Sequence, residues 1–220
     1  MREIRSDRWH WTCESYDISP GLTSIIHTLA TSETSRATRA ILIHGNGGST
    51  AGDIWLPWLA RELTALGLDV TNETFPDNVR ARASIWLPHL ESLGADHNTI
   101  LIGHSSGALA AMRYAETHRL AGSILIGVCH TDLGDEFEKA SGYYAEPWQW
   151  QRIRDHQRWI AVFSSSDDPH IPIAEPRFVA AQLRCSHFEF TDRGHFVDQR
   201  EFPEIVSLVR KKRGSQRMPE

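Results

Sequence analysis

One stretch limits the folds open to this chain more than any other: Thr99-Ile100-Leu101-Ile102-Gly103-His104-Ser105-Ser106-Gly107-Ala108-Leu109-Ala110-Ala111-Met112. Its first four residues are rich in branched apolar side chains and predict a buried strand, and Ser106 to Thr117 predicts a helix. Between them lies Gly-x-Ser-x-Gly with Ser105 at its centre, the pattern of a serine held on a sharp strand-to-helix turn, a nucleophile elbow. Gly103 and Gly107 leave room that a side chain would obstruct. Such a turn lifts the Ser105 hydroxyl clear of the sheet and aims the Ser106 amide at the same space, where it can bind an oxyanion. The pentapeptide alone is a weak pattern. The strand before it and the helix after it give it weight.

The rest of the chain repeats that alternation. Ala40-Ile41-Leu42-Ile43 predicts a strand covered on both faces, followed by the flexible turn His44-Gly45-Asn46-Gly47-Gly48 and a helix over 53–66. The turn has no Gly-Lys-Ser/Thr ending and no Gly-x-Gly-x-x-Gly, which argues against nucleotide binding. Backbone amides near Asn46 suit the second donor of an oxyanion hole instead. Val70 to Phe75 predicts the next strand, and 83–93 a helix stopped by Gly94. Ile54-Trp55-Leu56-Pro57 and Ile85-Trp86-Leu87-Pro88 both read as helix starts that tolerate a proline. Further strands are predicted over 123–128, 159–163 and 188–190, with helices over 175–183 and 201–211. The expected fold is α/β, with a parallel sheet of about six strands and helices on both faces. In such sheets the chemistry gathers at the carboxyl ends of strands, here the loops after 43, 103, 163 and 190. Residues 129–157 form a polar and aromatic excursion in which Tyr143, Trp148 and Trp150 could contact substrate or simply pack.

Composition narrows the function. A chain of 220 residues with 40% hydrophobic content can bury one full core. The net charge of −5 gives no reason to expect nucleic acid or an anionic membrane as partner. Cys13, Cys129 and Cys185 share no metal-ligand spacing and cannot all pair, which suits reduced thiols in a cytoplasmic protein. No apolar run approaches the ~18 residues of a transmembrane helix, and the acidic N-terminus makes a poor targeting peptide. Residues 1–38 read as an N-terminal extension of unassigned role, 39–213 as the catalytic domain and 214–220 as a tail.

A serine hydroxyl needs a base within hydrogen-bond reach, and the base needs an acid to hold its tautomer. With 12 histidines in the chain, position has to decide. His195 follows the last strand in the turn Asp192-Arg193-Gly194-His195-Phe196 and is the preferred base. His44 and His104 sit beside glycines at turns, and His187 is expected to pack along a strand. No His-Glu-x-x-His spacing occurs, so no metal site is expected. Asp167 and Asp168 compete for the acid after a buried strand. Asp168, followed by Pro169, is preferred, with Asp167 bracing or capping the loop.

At this level of detail the chain resembles a family. Gly45-Asn46-Gly47-Gly48, Ser84-Ile85-Trp86-Leu87-Pro88, Gly103-His104-Ser105-Ser106-Gly107-Ala108 and Ala111-Met112-Arg113-Tyr114-Ala115-Glu116 are similar to the retinoblastoma-binding protein 9 serine hydrolases. So are Asp132-Leu133-Gly134-Asp135-Glu136, Pro147-Trp148-Gln149-Trp150, Asp167-Asp168-Pro169 and Gly194-His195-Phe196. The resemblance runs from about Ile41 to Lys211. It implies a compact, Rossmann-like α/β-hydrolase with Ser105 as nucleophile, Asp168 as acid and His195 as base. Residues 1–38 have no counterpart in it. The Leu-x-Cys-x-Glu motif is absent, because Leu183-Arg184-Cys185-Ser186-His187 lacks the glutamate, so retinoblastoma protein is not expected as a partner. The resulting expectation is a cytoplasmic enzyme without cofactor that cleaves a small ester or amide. The alternative is a protein-binding module on a hydrolase scaffold with little turnover, which would have no need of three separated polar residues at strand ends.

Overall fold

The computed structural model of the chain describes residues 37–214, so most of the expected N-terminal extension and of the tail lies outside the described residues. Six strands, β1 (Arg39–Ile43), β2 (Asp69–Asn72), β3 (Thr99–His104), β4 (Gly122–Ile126), β5 (Ile160–Ser165) and β6 (Ser186–Phe190), form one sheet in the order β2-β1-β3-β4-β5-β6. Every pair is parallel. The chain leaves β1 outward to β2, then crosses back to β3 and continues the other way. The order therefore reverses between β1 and β3, the position at which sheets of this kind bind ligands.

Side-chain alternation divides the core between the two faces. Ala40, Leu42, Ile100, Ile102, Ile124 and Phe163 pack against α1 (Leu56–Ala65) and α7 (Pro203–Gly214). Ile41, Ile43, Leu101, Leu125 and Val162 face α2 (Ala83–Ser92), α3 (Ser106–Ala115), α5 (Trp150–Asp155) and α6 (Ala174–Leu183). Helix α3 is the central one, with only Arg113 escaping burial. Each large apolar side chain it buries contributes about 1.5–3 kcal/mol. Helix α4 (Glu136–Ala140) is the opposite case and buries no residue. No helix among the described residues is long and apolar enough to cross a membrane.

The two similar tetrapeptides place a tryptophan in each core. Trp55 is fully buried beside α1 and donates to the Phe196 carbonyl at 3.1 Å; Trp86 is fully buried in α2 and donates to the Pro76 carbonyl at 2.7 Å. The helix-start reading holds for Pro57 but not for Pro88, which lies inside α2 because that helix already begins at Ala83. The second strand also ends sooner than the sequence pattern suggests. Its last partner on β1 is Leu42, opposite Asn72, after which Phe75 turns inward and gives its amide to His44 Nε2.

Candidate active site

Ser105 is the residue between β3 and α3, with φ 54° and ψ −119°. A positive φ at a non-glycine residue costs on the order of 1–3 kcal/mol and persists only where the surroundings impose it. Here they do. The Ser105 amide donates to the Ile126 carbonyl at 2.8 Å, and the Ser105 carbonyl accepts from the Ala108 amide at 2.8 Å. A Cβ on Gly103 would lie 2.2 Å from the Gly107 carbonyl oxygen, and one on Gly107 would lie 2.4 Å from that of Ile43. Only glycine lets β1, β3 and α3 approach this closely. Ser106 opens α3, so its amide has no carbonyl within the helix to bond.

The loops after β5 and β6 meet beside this turn. His195 Nδ1 donates to Asp168 Oδ2 at 2.7 Å, and the two side chains are 9% and 3% exposed. Asp168 Oδ1 accepts from the amides of His170 at 2.8 Å and Ile171 at 3.0 Å. Burial pushes the Asp168 carboxyl upward, but the His195 contact and the two amides outweigh it and hold the carboxyl below its ordinary value. Asp167 has a separate task. Its Oδ1 accepts from Ser165 Oγ at 2.5 Å and from the Gly194 amide at 2.9 Å, tying the acid loop to the histidine turn.

Two further histidines support the site from within. His44 Nε2 accepts from the Phe75 amide, so Nδ1 carries the proton and donates to the Gly45 carbonyl at 2.7 Å. His104 donates from Nε2 to the His195 carbonyl at 2.8 Å, and Trp55 Nε1 fixes the next residue, Phe196. The turn carrying His195 is thus held by buried side chains on both sides. His187, expected to pack, pairs through Nε2 with Ser164 Oγ at 2.7 Å.

Ser105, Ser106, Asn46 and His195 all line one open cleft of about 390 Å³. Leu109, Cys129, Leu133 and Ile171 give it apolar wall, and Glu138 gives it a half-buried carboxyl. Sequence reasoning did not single these residues out. Leu109 had a signal, since it lies four residues beyond Ser105 on a helix and so shares its face. The aromatic candidates are corrected: Tyr143, Trp148 and Trp150 do not line the cleft. Tyr143 is fully buried in the core. Trp148 lies under the Arg113 guanidinium at 3.8 Å and donates from Nε1 to the His130 carbonyl at 2.8 Å. Trp150 packs near Trp148 and Phe178. Among the described residues, no group of three or more His, Cys, Asp or Glu is placed to hold a metal ion.

The sequence profile of the family described as Serine hydrolase matches residues 40–210. The chain belongs to that family. Serine hydrolase RBBP9 of Rattus norvegicus is 45% identical over 179 residues, spanning 79% of this chain and 94% of the rat protein. Putative hydrolase YdeN of Bacillus subtilis is 28% identical over 175 residues, 74% and 88% of the two chains. Among solved structures, the ydeN gene product of B. subtilis superposes with a TM-score of 0.73 at 24% identity, covering 80% of this chain and 98% of its own. Est1E from Butyrivibrio proteoclasticus gives 0.64 at 13% identity, covering 83% and 89%. The fold is that of the α/β hydrolases, and this family member is a hydrolase.

Proposed function

We propose that this hydrolase cleaves a small ester or amide through an acyl-enzyme, with Ser105 as nucleophile, His195 as base and Asp168 as acid. The observation that carries the reading is the 2.7 Å contact of His195 Nδ1 with Asp168 Oδ2 in the cleft that Ser105 also lines. With Nδ1–H committed to Asp168, Nε2 keeps its lone pair for the Ser105 proton. Ser105 Oγ attacks the substrate carbonyl as its proton passes to Nε2. The imidazolium is stabilised by Asp168, and the oxyanion is received by the amides of Asn46 and Ser106. His195 then protonates the departing alkoxide or amine, and a water molecule, deprotonated in turn by His195, releases the acid and restores Ser105. Positioned base catalysis contributes about 10²–10⁴-fold and each oxyanion donor about 10²–10³-fold. No cofactor enters any step.

A cleft of about 390 Å³ with Leu109, Leu133 and Ile171 in its wall supports a small, partly apolar substrate. Free thiols at Cys129 and Cys185 support a cytoplasmic setting, and the enzyme domain is taken as 39–213. A fluorophosphonate probe should label the protein, and Ser105→Ala should abolish labelling together with turnover of p-nitrophenyl acetate. Labelling that survives the substitution overturns the assignment.

A further inference from the structure

One wall of the cleft is thin. Asp132, Leu133, Asp135 and Glu138 line it, and every residue from Leu133 to Ala140 is exposed except Glu138. This segment has firm ends. The amides of His130 and Thr131 donate to Glu175 Oε2 at 2.8 and 3.1 Å, and the Ser141 carbonyl accepts from the Ala83 amide at 2.8 Å. Asp135 caps α4 by accepting from the Phe137 and Glu138 amides. Among the described residues, a single hydrogen bond leaves the span 132–140 for a distant part of the chain. Asn46 Nδ2 donates it to Glu138 Oε1 at 2.7 Å.

The far end of that bond matters. Asn46 lies between Gly45 and Gly47, with Gly47 and Gly48 at φ 70° and 87°, so the local backbone has unusual freedom to rotate. The loop is held on its outer side, where Gly47 and Gly48 donate to the Val79 and Asn78 carbonyls at 3.0 and 3.1 Å. Within the loop, His44 Nδ1 donates to the Gly45 carbonyl and Ser49 Oγ to the Asn46 carbonyl at 2.8 Å, and on the cleft side Glu138 holds the Asn46 side chain. Burial pushes the Glu138 carboxyl upward despite the Asn46 bond, which is the cost of placing it there.

We propose that Glu138 is a positioning residue for this hydrolysis: reaching from α4 in the cleft wall, it fixes the Asn46 side chain and so helps to aim the peptide whose amide receives the oxyanion. The proposal rests on the role given above to the Asn46 amide. Without the bond the glycine-flanked peptide is held by His44 and Ser49 alone, and its amide is misaimed for part of the time. Substrate binding in the apolar wall is untouched, so the effect falls on kcat and not on KM.

The test uses the full chain, p-nitrophenyl acetate turnover and the rate of fluorophosphonate labelling. E138A should lower kcat and the labelling rate by about tenfold, a fraction of what losing a donor outright costs, with KM changed less than about twofold. E138Q, whose amide oxygen can accept the same bond, should restore most of that rate. The double variant N46A/E138A should be no slower than N46A, because both act through one contact. An undiminished E138A, an E138Q as slow as E138A, or additive losses in the double variant would each overturn the proposal. If Ser105 labels normally while E138A matches the parent, only this proposal fails. If Ser105 never labels, the proposed function fails first.

Discussion

His104 precedes the candidate nucleophile and carries a stability cost that pH can expose. Its ring is buried, with Nε2 donating to the His195 carbonyl at 2.8 Å and the Trp55 ring standing nearly perpendicular to it, centroids 6.0 Å apart. Burial first, and the neighbouring His195 second, bring its pKa from 6.5 down to about 3. Between those values the unfolded chain binds a proton that the folded chain refuses, so stability is complete above about pH 6.5 and falls as pH drops. The slope is about 1.4 kcal/mol per pH unit, giving about 2 kcal/mol by pH 5 and about 4 kcal/mol by pH 3. A domain of this size has about 5–15 kcal/mol in all. Asp168 acts in a lower window: its depressed carboxyl stabilises the fold above the ordinary carboxylate pKa and gives that up only in stronger acid. Urea unfolding of the parent and of H104Q between pH 8 and 5 isolates the histidine. Glutamine can still donate to the His195 carbonyl, and His44 and His187, also lowered by burial, weigh equally on both curves. The H104Q curve should be flatter by about 2 kcal/mol over the lower 1.5 pH units. Parallel curves would refute the reasoning.

Other substitutions test other links. D168N should reduce kcat by up to about 10⁴-fold by selecting the wrong histidine tautomer, whereas D167N should lower the melting temperature more than the rate; equal losses of rate in the two would contradict the separation of their roles. G107A brings a Cβ to 2.4 Å from the Ile43 oxygen and 2.6 Å from the His44 oxygen. It should therefore cost at least the 1–3 kcal/mol of ordinary overpacking, a fall of roughly 5–10 °C in melting temperature, and calorimetry reads this directly. W148F should leave the KM for p-nitrophenyl acetate within about twofold while costing about 1 kcal/mol from the lost bond to His130. L109W, which fills the cleft, should raise KM; the reverse pattern would return the aromatics to the substrate.

The parts of the fold readable from sequence are those with a local cause. Strands β1, β3, β4 and β5 are covered on both faces and therefore appear as short continuous apolar runs. The edge strands β2 and β6 are half exposed and mixed in composition, and the sequence pattern overruns the end of β2 by three residues and misses the first two of β6. Ser105, Asp168 and His195 stand out as candidates in the sequence because each sits in a turn that follows a strand. The cleft wall does not. Tyr143, Trp148 and Trp150 share a segment with true lining residues, and only tertiary packing turns them to the core and admits Glu138 in their place. Asp135 and Glu138 even imitate a capping pair at spacing three. Asp135 does cap the helix, but Glu138 reaches away from it to Asn46.

The most direct measurement is the structure of the protein after reaction with a fluorophosphonate. The account predicts phosphorus bonded to Ser105 Oγ, a phosphoryl oxygen at about 3 Å from the amides of Asn46 and Ser106, and His195 still donating to Asp168. An adduct on any other side chain, or an imidazole turned away from both Ser105 and Asp168, would contradict it.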